Sequence, residues 1–252
     1  MEENNEMHEN APEEQNDENQ SVQEEMSEEE KKEAEKGKAF VSDLLEIAES
    51  AIITVFVMFM VFTYLLHPVN VVGHSMQPTL NPHPTVLSDG TESSDRILMT
   101  MVYGKPKYGD ILVIDCNANY LLDENGNPCL PEGITPLNEC IIKRVIATGG
   151  QTIDVRNNTV TVDGKVLSEP YVASKALTKD LGAFTENYPI TVPEGYVFVM
   201  GDNREHSTDS RSARVGLVKE SQIYGKALVR YYPLNDFKIL TSTWKESADE
   251  KE

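Results

Sequence analysis

Two hydrophobic patterns divide the chain. From Ala51 to Leu66 sixteen consecutive residues, AIITVFVMFMVFTYLL, carry no charge. Counted back to Ile47 the stretch reaches twenty residues, interrupted only by Glu49 and Ser50. At ~1.5 Å per helical residue that is about 30 Å, enough to cross the hydrocarbon core of a bilayer. Phe40–Glu49 reads as an amphipathic helical entry. His67-Pro68 closes the helix, because the residue before a proline is pushed out of the helical region. The span lies too far along the chain for a cleaved leader, and no small-x-small pattern follows it.

Beyond residue 68 the pattern changes to short β-rich runs bounded by turn residues. The expected strands are Asp95–Thr100, Gly109–Asp115, Cys140–Ala147, Thr152–Arg156, Thr159–Val162, Tyr196–Met200 and Ala227–Tyr231. Asn157-Asn158 and Asp163-Gly164 each separate two such runs and predict tight hairpins. The fold class is therefore mostly β, an antiparallel domain after one N-terminal transmembrane helix. Asn81–Ser94, rich in Pro, Ser and Asp, reads as a surface loop, and residues 171–192 as a less regular excursion.

Charge adds a direction. The 252 residues carry a net charge of −20, yet thirteen of the 42 acids fall in the first thirty residues, which have no Lys or Arg. Such a segment cannot bury enough apolar surface to fold, so residues 1–38 are expected to be a disordered acidic tail. Residues 39–67 form the entry and the span, 68–240 the β domain, and 241–252 a charged C-terminal tail. Lys31, Lys32, Lys36 and Lys38 precede the span, and no Lys or Arg follows it until Arg96. The positive-inside rule puts the tail in the cytoplasm and the β domain outside, on a single-pass chain at the cell membrane, in contact with lipid. The acidity argues against a nucleic-acid partner.

Cysteine and acidic motifs narrow the chemistry. Cys116, Cys129 and Cys140 fit no zinc spacing. In an oxidising compartment Cys116 with Cys140 is the favoured pair, at the base of an excursion between two strands. Asp123-Glu-Asn-Gly-Asn-Pro starts like a calcium loop but has Pro128 where Gly is needed and Ile134 where Glu is needed. A plain Asn-Gly turn is the better reading. Neither a metal nor a cofactor is expected.

Three stretches remain that could carry chemistry. In Val69–Leu80, VNVVGHSMQPTL, Ser75 lies between Gly73, which permits close backbone approach, and a stiff Pro78-Thr79 exit. A serine nucleophile needs a base. His74 is adjacent, but neighbouring side chains of an extended segment point to opposite faces. In Ile141-Ile-Lys-Arg-Val-Ile146, alternation puts Lys143 on one face with Ile141 and Val145. Burial there would disfavour the charged amine and make it a general base. The third stretch, Gly201–Arg211, is dense in polar groups directly after an apolar run and suits groups that orient a lysine.

Together, GHSMQPTL, YGDILVI, IIKRVIATGG, DGKVLSEPYV and GDNREHSTDSR, in this order after an anchor, resemble the bacterial type I signal peptidases. These are membrane-anchored Ser/Lys proteases of the S26 family that cut signal peptides from exported preproteins. The resemblance implies an antiparallel β-sheet catalytic domain, with Ser75 as the acyl-forming nucleophile, Lys143 as its base and Ser207 orienting that lysine. It also implies that the Ser75 N–H forms part of the oxyanion hole, with Gly73 where some members have a serine donor. Arg144 with Asp202, and Asp209 with Arg211, correspond to ion pairs under the site. A signal-peptide strand would lie between Val69–Val72 and the strand of Ile141 and Ile142. Shallow pockets of Val71, Met76, Leu80 and Ile142 would admit small side chains, giving an Ala-x-Ala preference. The rivals are a self-cleaving cytoplasmic Ser/Lys protease and a non-catalytic tethered domain; the span and the complete Ser75, Lys143, Ser207 set speak against them.

Overall fold

The structure, a computed structural model, describes residues 13–81, 85–86, 92–173, 177–184 and 187–240. The expected C-terminal tail lies outside these residues, as do the first twelve. The chain divides into two units between Met60 and Val61.

Helix α1, Glu13–Tyr64, runs through the apolar stretch. Its backbone is helical from Glu13, within the acidic segment. Glu, Gln, Lys, Ala and Met are strong helix formers. Glu33 with Lys36 and Glu35 with Lys38 fall at helical spacing. A helix already nucleated by the apolar stretch needs only propagation to extend. Glu35–Tyr64 is long and apolar enough to cross a membrane, and none of its apolar window is buried. A core helix would bury one face.

The strands follow in chain order: β1 Leu66–Asn70, β2 Thr85–Val86, β3 Glu92–Ser93, β4 Arg96–Thr100, β5 Ile111–Asp115, β6 Leu121–Leu122, β7 Pro128–Cys129 and β8 Cys140–Thr148. Then come β9 Thr152–Arg156, β10 Thr159–Val162, β11 Lys165–Val166, β12 Ile190–Thr191, β13 Tyr196–Met200, β14 Val218–Lys219, β15 Ile223–Tyr232 and β16 Lys238–Ile239. The large sheet has the order β1-β4-β15-β5-β8-β13-β14, with β16 beside β15. A four-stranded sheet, β11-β10-β9-β12, and two small hairpins complete the fold, and the strand pairings are antiparallel.

Local chemistry explains the turns. Asn157 and Asn158 have φ of 51° and 60°, and Asp163-Gly164 has 52° and 74°. Asn, Asp and Gly tolerate this left-handed region best, and its twist suits two-residue hairpins. The acidic loop is the plain turn expected of it: Asp123 accepts the N–H groups of Asn125 and Asn127, and Gly126 sits at φ 78°.

Strand β8 is the spine of the domain. It pairs with β5 from Cys140 to Arg144 and with β13 from Arg144 to Thr148. Covered on both faces, it is nearly continuously apolar, as a central strand should be. Its residues feed three cores: Ile146 and Ala147 join Phe198 and Phe184, Ile142 lies against Met76 and Leu80, and Ile141 and Val145 join Val197 and Val199. Each of these large side chains contributes about 1.5–3 kcal/mol on burial.

The cysteine pairing is corrected. All three thiols are free. Cys140 pairs across the ladder with Asp115, so Cys116, one residue further, points to the other face. Cys116 is accordingly buried and Cys140 exposed. Desolvation pushes the Cys116 thiol up to about 12.

Candidate active site

The loop that carries Ser75 is closed at its base. Val71 N–H donates to Asp95 O (2.9 Å) as the chain leaves β1. Gly73 takes φ 85°, which only glycine adopts freely. Gln77 N–H donates to His74 O, and Leu80 N–H to Met76 O. Met76 and Leu80 anchor the turn in the core, while Ser75 itself is half-buried. Asn81, expected at the start of a surface loop, is in fact buried, at φ 50°. Its side chain bonds Val71 O, Gly73 O and Asp95 N–H.

From the other side of the site, β8 projects Lys143 onto this loop. The amine lies 2.7 Å from Ser75 Oγ and 3.0 Å from Ile142 O, and the residue is 3% exposed. Burial is the largest influence on this amine and lowers its pKa; Asp209 and Asp202 pull the other way without overcoming it. A neutral amine at 2.7 Å is placed to accept the Ser75 hydroxyl proton.

The segment after β13 buttresses the pair. Asn203 donates its backbone N–H to Ser75 O and its side-chain amide to His74 O, both at 3.0 Å. Gly201 packs so closely that a Cβ there would stand 2.4 Å from Ser75 O and 2.3 Å from Ser207 Oγ. Ser207 is therefore close to Ser75. Its hydroxyl is buried and makes no hydrogen bond of good geometry, to Lys143 or to another group.

Two buried arginine forks fix these elements. Arg144 bonds both oxygens of Asp202 (2.8 and 2.7 Å) and Gly109 O, with its guanidinium 4.2 Å from the Tyr171 ring centre. Arg211 bonds both oxygens of Asp209 at 2.8 Å. Asp209 also accepts Gly201 N–H, and these bonds lower its pKa although burial alone would raise it. Bidentate pairs of this kind are the geometrically specific ones.

The other expected residues are distributed unevenly. Val69 and Ile142 are half-buried, but Val71, Met76 and Leu80 are core side chains at 3%, 2% and 0% exposure. Ile141 lies on the opposite face of β8 from Ile142, in a different core. On the β13 side the ladder ends at Arg144, so Cys140–Lys143 has no strand partner there among the described residues. His74 is exposed and bonded to Gln77, and His206 is exposed. Among the described residues no cluster of His, Cys, Asp and Glu is able to hold a metal.

Asn81, Asn203 and Gly201 were not singled out from sequence. The only signals were an asparagine directly after the Pro78-Thr79-Leu80 turn and a glycine at the end of a buried strand.

The family described as "Signal peptidase, peptidase S26" matches residues 44–232. A signal peptidase I of Mycobacterium tuberculosis (strain CDC 1551 / Oshkosh) is 32% identical over 231 residues, covering 80% of this chain and 76% of that protein. One from Bacillus licheniformis is 31% identical over 214 residues, covering 81% and 97%. A crystal structure of a signal peptidase I from Enterococcus faecalis V583 is 28% identical, covers 50% of this chain and 98% of that one, and superposes with a TM-score of 0.36. With the match spanning most of the β domain and reaching into the apolar helix, the chain belongs to the signal peptidase family, peptidase S26.

Proposed function

We propose that this protein is a membrane-bound serine endopeptidase that removes N-terminal signal peptides from exported preproteins. The observation that carries the reading is the 2.7 Å approach of a buried lysine amine to the Ser75 hydroxyl.

In this mechanism neutral Lys143 takes the Ser75 proton as Oγ attacks the scissile carbonyl carbon. Negative charge on the carbonyl oxygen is met by the Ser75 N–H, with room provided by the absent side chain at Gly73. The lysine, now an ammonium, gives its proton to the leaving amine as the C–N bond breaks. It then takes a proton from the water that attacks the acyl-enzyme and passes it to Ser75 Oγ as the ester bond breaks, releasing the cleaved signal peptide and restoring the neutral amine. Arg144–Asp202 and Asp209–Arg211 hold β8 and the Gly201 segment in place. Ser207, buried against Gly201, is the residue we assign to orienting the amine.

The substrate enters as a strand along the unpaired Cys140–Lys143 edge, by main-chain hydrogen bonds. Val69, Ile141 and Ile142 border that path. Val71, Met76 and Leu80 form its floor and leave depth only for small side chains, which accounts for an Ala-x-Ala preference. The apolar helix anchors the enzyme with its lysine flank in the cytoplasm and the site outside, where enzyme and membrane-held substrate share a surface.

The test is cleavage of an Ala-x-Ala peptide and of a preprotein by wild type, Ser75→Ala and Lys143→Ala across pH. Both variants should be inactive but folded. The wild-type rate should rise with pH through a midpoint below the ordinary lysine value, as the amine loses its proton. Cleavage by Lys143→Ala at neutral pH would refute the assignment of the base.

A further inference from the structure

We infer that Asn81 is a positioning residue for the nucleophile: its side chain ties down the entry to the Ser75 loop, and its main-chain carbonyl holds the exit through Gln77. The inference rests on the peptidase reading of Ser75.

Both amide hydrogens of Asn81 are committed. They go to Val71 O at 2.8 Å and Gly73 O at 3.0 Å, which bracket the approach to Ser75. Its Oδ1 accepts Asp95 N–H at 2.7 Å, while its own N–H donates to Asp95 Oδ2 at 2.7 Å. Its carbonyl accepts Gln77 Nε2 at 2.7 Å, on the far side of Ser75. Asp95 is itself held by Arg230 at 3.0 Å, and Arg230 also donates to Thr79 O. One buried residue thus gathers the entry strand, the glycine and the exit turn, and ties them to a buried ion pair on β15.

The backbone agrees with this role. At φ 50° a branched or bulky residue is strained, whereas asparagine is tolerated. Asn81 touches neither Ser75 Oγ nor Lys143. It acts through the carbonyls of Val71 and Gly73, whose placement sets the direction of the Ser75 N–H and Oγ. A loss of about 1 Å in that placement costs on the order of 10²-fold in rate.

The variants are Asn81→Gly, which keeps the backbone conformation and deletes the side chain, and Asn81→Asp, which keeps the acceptor for Asp95 N–H and removes both donors. They are made in the full chain, in detergent. On an Ala-x-Ala peptide, kcat of each should fall by about 10- to 100-fold, with KM little changed. The pH midpoint should stay in place, because Lys143 keeps its surroundings. Amide exchange of Gln77 and Leu80 should quicken at least tenfold while β5 and β8 keep their protection. If kcat per folded molecule is unchanged and only the melting temperature falls, Asn81 is merely structural and the inference is overturned. Unchanged exchange at Gln77 and Leu80 overturns it whether or not the protein cleaves peptides. A wild type that cuts nothing would refute the peptidase reading alone, and the exchange measurement would still decide the clamp.

Discussion

Adding one methyl group at Gly201 gives the sharpest test of how the site is held. An alanine Cβ there would meet Ser75 O at 2.4 Å and Ser207 Oγ at 2.3 Å, whereas ordinary contact begins near 3.4 Å. Ser75 O therefore has to retreat by about 1 Å, the shortfall from van der Waals contact. It is backbone, bonded to the Asn203 N–H, so no flexible side chain absorbs the shift. Moving Ser75 O moves Cα and Oγ with it, away from a lysine set at 2.7 Å. A misplacement of that size lowers kcat by roughly 10²-fold, equivalent to about 2.7 kcal/mol of barrier. Overpacking of a tight site also costs about 1–3 kcal/mol of stability. The assay pairs peptide kinetics with thermal melting for Gly201→Ala, at a temperature where the variant stays folded. A kcat within threefold of wild type would refute the argument that this glycine sets the position of the nucleophile.

Three further outcomes follow from the buried charges and thiols. Lys143→Met should abolish cleavage yet raise the melting temperature at neutral pH. Burial lowers the folded-state pKa, so the unfolded state binds more protons; wild-type stability then rises with pH between the folded midpoint and the ordinary lysine value, and the variant loses that slope. Asp202→Asn leaves the Arg144 guanidinium buried without its counter-charge and should destabilise the domain by about 3–5 kcal/mol in urea titration. Melting should be insensitive to reductant, and alkylation under native, non-reducing conditions should label Cys140 before Cys116, since both thiols are free but only Cys140 is exposed.

How far the sequence could be read depended on whether a signal was local. Alternation along β8 put Lys143 among Ile141 and Val145, and the structure buries it with them. Asn157-Asn158 and Asp163-Gly164 announced their hairpins through residues that tolerate positive φ. The apolar helix was visible from length and lack of charge. Long-range facts were not visible. Asn81 reads as loop chemistry because its partners, Val71, Gly73 and Asp95, come from two stretches that the sequence separates by more than twenty residues. Cys116 and Cys140 look pairable by spacing, but ladder register sends them to opposite faces. The turn folds Val71, Met76 and Leu80 inward, so they can serve only as a floor beneath the expected pockets, a depth that no local pattern revealed.

Two basic neighbours, Lys143 and Arg144, occupy opposite sides of one ribbon. The amine is pressed toward losing its proton, while the guanidinium is kept charged by the aspartate fork. A slip of the ribbon by a single step would exchange them. It would present to Ser75 a group that never deprotonates. The alignment of β8 with β5 is therefore more than architecture: it selects which of two adjacent basic side chains meets the hydroxyl, one that can lose its proton or one that cannot.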